Sequence, residues 1–256
     1  MSGKKPRLSI DLEWRITLFT VVMVPVMLGL GFWQLQRAEE KATLAASFEA
    51  REQQSPVALS ALRGQSPQSL AYVPVRVSGD YLPDQYFLLD NQIHGGKFGY
   101  RVLSILLLAD SGGSVLVNRG WIAGDAGRRA LPEVPVIEGP VDVTGHVYVA
   151  PGKPYLLAEQ QLEKGWPKVI QAVEMDKLVP AVTAQNPGSV FPYPVRIAAG
   201  EQGALTVNWQ VVNMSPQKHE GYAVQWFAMA AVLLIFYVLR SSNLWQVMSG
   251  AWRAGE

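Results

Sequence analysis

The sequence lacks cysteine altogether and contains only three histidines among its 256 residues. The absence of cysteine excludes disulfides, thiolate metal sites and thiol redox chemistry. The histidines, His94, His146 and His219, lie far apart in the sequence, and no two have the spacing of a metal-ligand pair. No phosphate-binding loop ending in Lys-Ser/Thr and no Gly-x-Ser-x-Gly elbow occur either. We therefore expect a protein that is not an enzyme.

A strong net charge is also missing. The 22 Lys and Arg residues nearly balance the 21 Asp and Glu residues, which leaves a net charge of +1. No basic block occurs outside the N-terminal tail, so the sequence gives no indication of a nucleic-acid partner. Against this mixed background two stretches contain no charged residue, Ile16–Leu35 near the start and Gly221–Leu239 near the end.

Both uncharged stretches are long enough to span a lipid bilayer. A helix rises about 1.5 Å per residue, so either stretch crosses a hydrocarbon core of about 30 Å. The second stretch has nine Val, Leu, Ile and Phe residues, which contribute about −3 to −5 kcal/mol to membrane insertion. The first exceeds the apolar region of a signal peptide, about 7 to 15 residues, and charged residues follow it instead of a cleavage site. We predict two transmembrane helices, the first a retained anchor.

Basic residues near the membrane predict the orientation of the chain. Four of them precede the first stretch, and two, Arg240 and Arg253, follow the second. Because Lys and Arg favour the cytoplasmic side, both termini should be cytoplasmic. The chain then divides into a cytoplasmic N-terminal tail (1–15), the first span (16–35), an extracytoplasmic domain (36–218), the second span (221–239) and a cytoplasmic C-terminal tail (240–256).

The segment between the spans has the pattern of a β-rich domain. Residues 36–53 first continue the helical pattern, and about seven short alternating runs follow. Specific expectations are a hairpin of Tyr100–Leu108 with Ser114–Trp121, a turn at Gly79–Asp80, a helix at Pro167–Leu178, and a late strand pair of Pro194–Ile197 with Leu205–Val212. The predicted fold class is a membrane protein with two transmembrane α-helices flanking an extracytoplasmic α+β domain, which contains an antiparallel β-sheet or a partly closed barrel.

Polar and aromatic residues cluster where both spans reach the outer membrane surface. Helical spacing places these residues on one face of each helix: Trp33, Gln34, Arg37 and Lys41 on the first, and His219, Tyr222 and Trp226 on the second. If these faces meet, they form a cleft suited to a flat apolar ligand with acid groups. A histidine nitrogen can bind a haem iron, and Arg37 or Lys41 can pair with propionates.

Two questions about this cluster stay open at the level of sequence. Interfacial Trp, Tyr, Arg and His also anchor many helices simply by reaching the lipid headgroups. In addition, no clear small-residue seam marks an interface between the spans, so their packing against each other is undetermined.

A second unusual stretch is Asn118–Arg119–Gly120–Trp121. Arg119 and Trp121 would share one strand face, and with Asn118 they could form a patch that docks a partner. Alternatively, Arg119 and Trp121 stack on each other as a cation–π pair with a purely structural role.

Three motifs together resemble the surfeit locus protein one family, in particular its bacterial members. They are Gly31-Phe-Trp-Gln-Leu-Gln-Arg-Ala-Glu-Glu-Lys41, Val115-Leu-Val-Asn-Arg-Gly-Trp121 and His219-Glu-Gly-Tyr-Ala-Val-Gln-Trp-Phe227. The motifs occur in the order of the family and on the same two-helix topology. The chain departs from the family pattern at Glu40, where many members have Trp, at Gln217, where Asn is frequent, and at Ser104–Ile105, where Thr–Pro is common.

The resemblance implies an assembly factor, or chaperone, for haem-copper cytochrome c oxidase of the respiratory chain. It implies a bacterial inner-membrane protein with a periplasmic domain that acts on haem a of the catalytic subunit. The partners would be that subunit and the haem a synthesis machinery, and His219 would correspond to the histidine associated with haem. The alternative is a membrane-anchored scaffold that holds an oxidase subunit without binding a cofactor. In that case Asn118, Arg119 and Trp121 would matter more than His219.

Overall fold

The computed structural model describes residues 9–110, 112–150, 152, 156, 158–209 and 215–243. Most of the two predicted terminal tails, and residues 210–212 of the predicted late strand, lie outside the described residues. The chain divides into two compact units. The helical unit comprises residues 1–46 and 211–256, and the β-unit comprises residues 47–210.

The first element of the chain is a single long helix, α1 (Trp14–Glu52). It contains the whole first uncharged stretch and continues to Glu52, which confirms the predicted helical extension beyond residue 35. Pro25 lies inside the helix without ending it. By length and composition α1 can cross a membrane. Its last residues, from Ser47 onward, belong to the β-unit.

The β-unit begins with short elements that cap its core. These are strand β1 (Val57–Ala58), a 3₁₀ turn (Leu59–Leu62) and the one-turn helix α2 (Pro67–Leu70). Their leucines, Leu59, Leu62 and Leu70, are buried. They pack into the larger of two main apolar clusters, which has many valines of the following strands at its centre.

Strand β2 (Pro74–His94) is far longer than the sequence suggested. The predicted turn at Gly79–Asp80 is wrong, because the strand continues through it and changes partners at Gly79. Before Gly79, β2 pairs with β5 (Val141–Val147), and from Gly79 onward it pairs with β3 (Lys97–Leu108). A Cβ at this position would overlap the carbonyl oxygen of Leu107. The glycine is therefore required because the strand backbones approach closely here, and it does not form a turn.

The predicted hairpin is confirmed, and it forms part of a closed ring of strands. Strand β3 pairs antiparallel with β4 (Ser114–Ala123). Strand β7 (Val195–Ile197) then pairs parallel with β4 and antiparallel with β5, which closes the ring β2-β3-β4-β7-β5. Because β4 and β7 share only the pairs Val117↔Val195 and Asn118↔Arg196, the ring is not a regular barrel. This topology confirms the predicted sheet-rich domain between two candidate transmembrane helices.

Two predictions within this domain are wrong. Pro194–Ile197 contains β7 but does not pair with residues 205–209, of which only Thr206 forms an isolated bridge, to Trp121. The stretch Pro167–Leu178 is not one helix. Its first part is strand β6 (Lys168–Ile170), parallel to β2, and a helix, α3 (Met175–Thr183), begins later. The β-branched residues of β6 continue the sheet and bury Ile170, and α3 packs against the same apolar cluster.

The last element is helix α4 (Pro216–Ser241), the second candidate membrane span. It runs antiparallel to α1, since Gln34 contacts His219 and Thr17 contacts Tyr237. Small residues spaced seven apart are buried in both helices, namely Gly31 and Ala38 in α1 and Ala223 and Ala230 in α4. This period is that of a left-handed helix pair, and small residues let the backbones approach closely. The sequence left this packing open; the structure shows it.

Candidate functional site

The main polar contact between the C-terminal half of α1 and the N-terminal half of α4 joins His219 to Gln34. The imidazole Nδ1 of His219 lies 2.8 Å from the amide Oε1 of Gln34. Because a carbonyl oxygen can only accept, Nδ1 donates in this contact, and in the neutral form of the ring Nε2 then keeps its lone pair. Among the described residues, no hydrogen bond reaches Nε2. Gln34 thus orients the ring and fixes the tautomer that presents Nε2 as a ligand.

The predicted face of α1 divides into two parts in the structure. Gln34 and Lys41 are half-buried at positions that follow the seam. Trp33 and Arg37 lie on the exposed flank, where the Arg37 guanidinium stacks over the Trp33 ring at 5.8 Å. The Trp33 side chain is 47% exposed and therefore presents a flat aromatic surface. Spacing alone grouped these residues, whereas helix packing separates Gln34 and Lys41 from the other two.

Tyr222 and Trp226, on α4, complete the set that the sequence predicted. Tyr222 is 45% exposed, and Trp226 is half-buried. Within the described part of the chain, neither ring stacks on or hydrogen-bonds to His219, Gln34 or Trp33. The structure thus joins Gln34 to His219 and pairs Trp33 with Arg37, but no hydrogen bond or ring stacking connects Tyr222, Trp226 or Lys41 to them.

The two cationic side chains beside this group, Arg37 and Lys41, differ in how readily they can bind an anion. Arg37 pairs with Glu40 at 2.6 Å, one turn further along α1, and both side chains are nearly half exposed. Exposed pairs of this kind are worth about 0.2 to 1 kcal/mol, so a competing anion can displace Glu40. Lys41 has no ion pair among the described residues. Lys41 is therefore the cation most readily available to an acid group of a ligand.

The described residues offer no ready cluster of ligands for a bare metal ion. No group of three or more His, Cys, Asp or Glu side chains with suitable geometry occurs in the described residues. A single imidazole such as His219 suffices only for a metal that brings its own chelating ring, as haem iron does.

The central motif lies in β4, and most of it is inside the β-unit. Asn118 and Arg119 are only 6% and 4% exposed. The Arg119 guanidinium donates hydrogen bonds to three oxygens, on Gly203 (2.7 Å), Pro135 (3.0 Å) and Ser104 (3.4 Å). Burial lowers the pKa of Arg119, and the nearby tyrosines oppose this shift. Arg119 therefore ties two loops to the sheet.

Trp121 has different neighbours from Arg119. Its indole N–H donates to the carbonyl of Gln92 (2.9 Å), and its ring lies 5.2 Å from His94. The expected Arg119–Trp121 stack is wrong, because Arg119 lies over Tyr81 and a bulge, at whose end Gly120 has φ +110°, separates the two residues. The role of Asn118, Arg119 and Trp121 in binding a partner stays a prediction.

Sequence reasoning missed a second group of functional candidates, in the β-unit. His146 lines a cavity of about 470 Å³ together with Phe48, Tyr72 and Trp209. Its Nε2 is buried and has no hydrogen-bond partner in the part of the chain that the structure describes. Burial, together with the charge of Arg196, lowers the pKa of His146 to about 4. No local signal could identify this group, because strands distant in sequence bring it together.

Comparison with known proteins places these features in one family pattern. The SURF1 family matches residues 21–231, a range that contains all three motifs. A SURF1-like protein of Monosiga brevicollis is 27% identical over 244 residues, which covers 86% of this chain and 85% of that protein. Surfeit locus protein 1 of Homo sapiens is 29% identical over 169 residues, or 60% of this chain and 54% of that protein. A SURF1-like protein of Rickettsia felis is 29% identical over 111 residues, covering 43% and 47% respectively.

Proposed function

Because the chain belongs to the SURF1 family, as its three motifs predicted, we propose that it is an assembly factor for a haem-copper cytochrome c oxidase. In this proposal it holds haem a at the outer mouth of the helix pair and aids its insertion into the catalytic subunit. The observation that carries the proposal is the contact between His219 and Gln34. That contact leaves one imidazole nitrogen available and fixes its direction.

The residues of the helix pair fit a haem in their chemistry. His219 would provide Nε2 as an axial ligand, and the hydrogen bond from Nδ1 to Gln34 would raise the basicity of that ligand. A bound haem would supply an iron that can accept this nitrogen as a ligand. Trp33 and Tyr222 offer exposed aromatic surface for the macrocycle. Lys41 is the first candidate for a propionate, and Arg37 becomes a second when Glu40 is displaced.

A single protein ligand suits a carrier better than a closed site does. A factor that transfers its cargo must release it, and two strong axial ligands would hold the iron against transfer. Among the described residues, the helix pair offers only one histidine, His219. The proposed role therefore requires no turnover, and it requires no second protein ligand on α1.

The proposed location is the bacterial inner membrane, with both termini in the cytoplasm and the β-unit in the periplasm. This orientation rests on the basic residues that flank the two spans. The proposed partners are the oxidase catalytic subunit and the machinery that synthesises haem a.

The absorption spectrum of the full-length protein, purified from cells that make haem a, tests this function. We expect a Soret band that His219→Ala abolishes and His94→Ala retains, because His94 lies in the β-unit. Membrane fractionation of each variant checks that it still inserts. Identical spectra for wild type and His219→Ala would refute the ligand assignment. Absence of haem, together with oxidase-subunit co-purification that survives His219→Ala and fails with Trp121→Ala, would instead support the scaffold.

A further inference from the structure

Three arginine side chains of the β-unit are buried or half-buried, namely Arg101, Arg119 and Arg196. Of these, Arg119 alone donates to three oxygen acceptors among the described residues. The donors of Arg119 reach two carbonyls and a hydroxyl. Arg196 in β7 is 7% exposed, and Arg101 in β3 is half-buried. Neither Arg101 nor Arg196 forms an ion pair within the described part of the chain. Unlike Arg119, neither of them donates to a backbone carbonyl within the described part of the chain.

Aromatic rings replace the missing acceptors around Arg196. Its guanidinium lies 3.5 Å from the centre of the Tyr148 ring and 5.1 Å from that of Trp209. The Nε–H of Arg196, however, is buried and has no hydrogen-bond partner among the residues that the structure describes. A strong donor is thus left unused inside the protein.

Arg101 brings a second positive charge to the same place. Its guanidinium lies 5.5 Å from the Trp209 ring, which also contacts Arg196. The indole N–H of Trp209 donates to the carbonyl of Ile197 (2.7 Å), which fixes the ring. The pKa of Arg196 falls to about 10, chiefly because of burial, and the charge of Arg101 contributes to the fall. The two like charges therefore act on each other.

Burying the charges of Arg101 and Arg196 next to each other is unfavourable unless an anion binds between them. Burying a charge costs several kcal/mol when no counter-charge accompanies it. Each cation–π contact returns about 0.5 to 2 kcal/mol, which offsets only part of that cost. The sequence around Tyr148 cannot supply the anion either, because residues 143–158 contain no Asp or Glu.

A cavity of about 510 Å³ opens beside the two arginines. Arg101, Arg196, Asn118 and Gln171 line it with hydrogen-bond donors. Since the Asn118 oxygen already accepts from Gly120 N–H (3.2 Å), its amide NH₂ is the group left for a ligand. The volume lies within the range of small-molecule sites, about 300 to 1,000 Å³.

The remaining wall of the cavity is apolar. It includes Leu89, Ala172 and Val173. A ligand that satisfies both walls carries a negative group at one end and hydrocarbon at the other. We propose that this cavity binds an organic anion, with a carboxylate or phosphate group between Arg101 and Arg196 and an apolar body against Leu89 and Val173. The site belongs to the β-unit alone and is independent of the haem proposal.

Calorimetric titration of the detergent-solubilised full-length protein, prepared without haem, tests the proposal. The probes are hexanoate, hexyl phosphate and neutral hexanamide, which share the apolar chain and differ in the head group. We expect at least one anion to bind tenfold or more tightly than hexanamide, and the tighter anion identifies a carboxylate or a phosphate ligand. Arg101→Gln should weaken that anion at least tenfold. The matched control Arg76→Gln, at an exposed arginine of β2 paired with Asp142, should leave it unchanged.

Three results would overturn the proposal: hexanamide binding as tightly as the anions, anion binding unaffected by Arg101→Gln, or no binding of any probe to wild type. Should Arg101→Gln fail to fold, the wild-type comparison of anions with hexanamide still decides. Arg101→Lys then provides the second variant, because it keeps the charge and loses the planar fork. Weakened anion binding in Arg101→Lys supports the arginine contact, and unchanged binding contradicts it.

Discussion

The helical unit and the β-unit bury their polar groups in opposite ways. The seam of α1 and α4 buries mainly small residues, and polar pairs join the helices near both of its ends, His219 with Gln34 and Thr17 with Tyr237. The β-unit instead buries the charged side chains of Arg119 and Arg196, and it encloses Nε2 of the half-buried His146. In the helical unit, the hydrogen bond to Gln34 holds the His219 imidazole in a fixed direction. In the β-unit, the free-energy cost of burying the arginine charges depends on the groups that surround them. Substitutions should therefore affect the two units differently.

We expect the largest loss of stability from a substitution at Gly79, where two strands of the β-unit approach each other closely. Gly79→Ala would force the strand backbones apart, because its Cβ overlaps the Leu107 carbonyl. We expect a loss of about 3 to 5 kcal/mol in the free energy of unfolding, measured by urea unfolding followed by tryptophan fluorescence. The neighbouring Ser78→Ala removes only an exposed hydrogen bond to Asp142 and should cost at most about 1 kcal/mol. Equal losses in both variants would contradict the close packing at Gly79.

The next effect concerns acid stability of the β-unit. The folded state lowers the pKa of His146 to about 4, against about 6.5 in the unfolded chain. The unfolded state therefore binds the extra proton, and stability falls as the pH drops from 6.5 to 4, by at most about 3 kcal/mol. His146→Phe keeps the ring volume among Phe48 and Tyr72. It should lose less stability over this pH range than wild type, and an identical loss in both would show that His146 is not buried neutral.

A smaller effect should separate two glycines of α1. A Cβ at Gly31 would overlap the Phe227 ring of α4, while Gly29 has nothing within 4 Å. Alanine favours a helix by up to about 1 kcal/mol at either position. Gly31→Ala should nevertheless lower the melting temperature of the helix pair in detergent, because overpacking costs about 1 to 3 kcal/mol. Gly29→Ala should hold or raise it. A higher melting temperature in both variants would argue against the close seam.

The smallest effect should be the same in both units. The exposed ion pairs Arg37–Glu40 and Arg76–Asp142 belong to the helical unit and the β-unit respectively. Glu40→Gln and Asp142→Asn should each change the free energy of unfolding by less than about 1 kcal/mol, and less still in high salt. A loss of unfolding free energy well above that value in either variant would mean that the pair stabilises the fold more than an exposed ion pair does.

The helical unit was largely predictable from sequence because its signals are local. Length and apolar composition indicated both helices, and spacing placed Gln34 and His219 each in a polar cluster on one face of its own helix, without showing that the two faces meet. Spacing could not show that Trp33 and Arg37 leave the seam, since that depends on the partner helix. The seam itself was missed, although Gly31 and Ala38, like Ala223 and Ala230, recur at an interval of seven residues.

The β-unit was predictable in class but not in its connections. The hairpin of β3 and β4 has a local turn, whereas β2 meets β5 and β4 meets β7 across long stretches of sequence. Gly79 illustrates the limit, because a glycine inside a strand pattern signals either a turn or a close approach. The cluster of His146, Arg196 and Trp209 depends on these distant pairings, so no spacing rule could find it.

Cross-linking in native membranes tests the central claim, that His219 faces Gln34 at the same depth, most directly. The absence of cysteine from the chain makes the background clean. Gln34→Cys combined with His219→Cys should be joined rapidly by a short bifunctional thiol reagent, which protects both thiols from a maleimide. Gln34→Cys combined with Tyr237→Cys, at the opposite end of α4, should stay unprotected. Protection of neither pair, or of both pairs equally, would contradict the account.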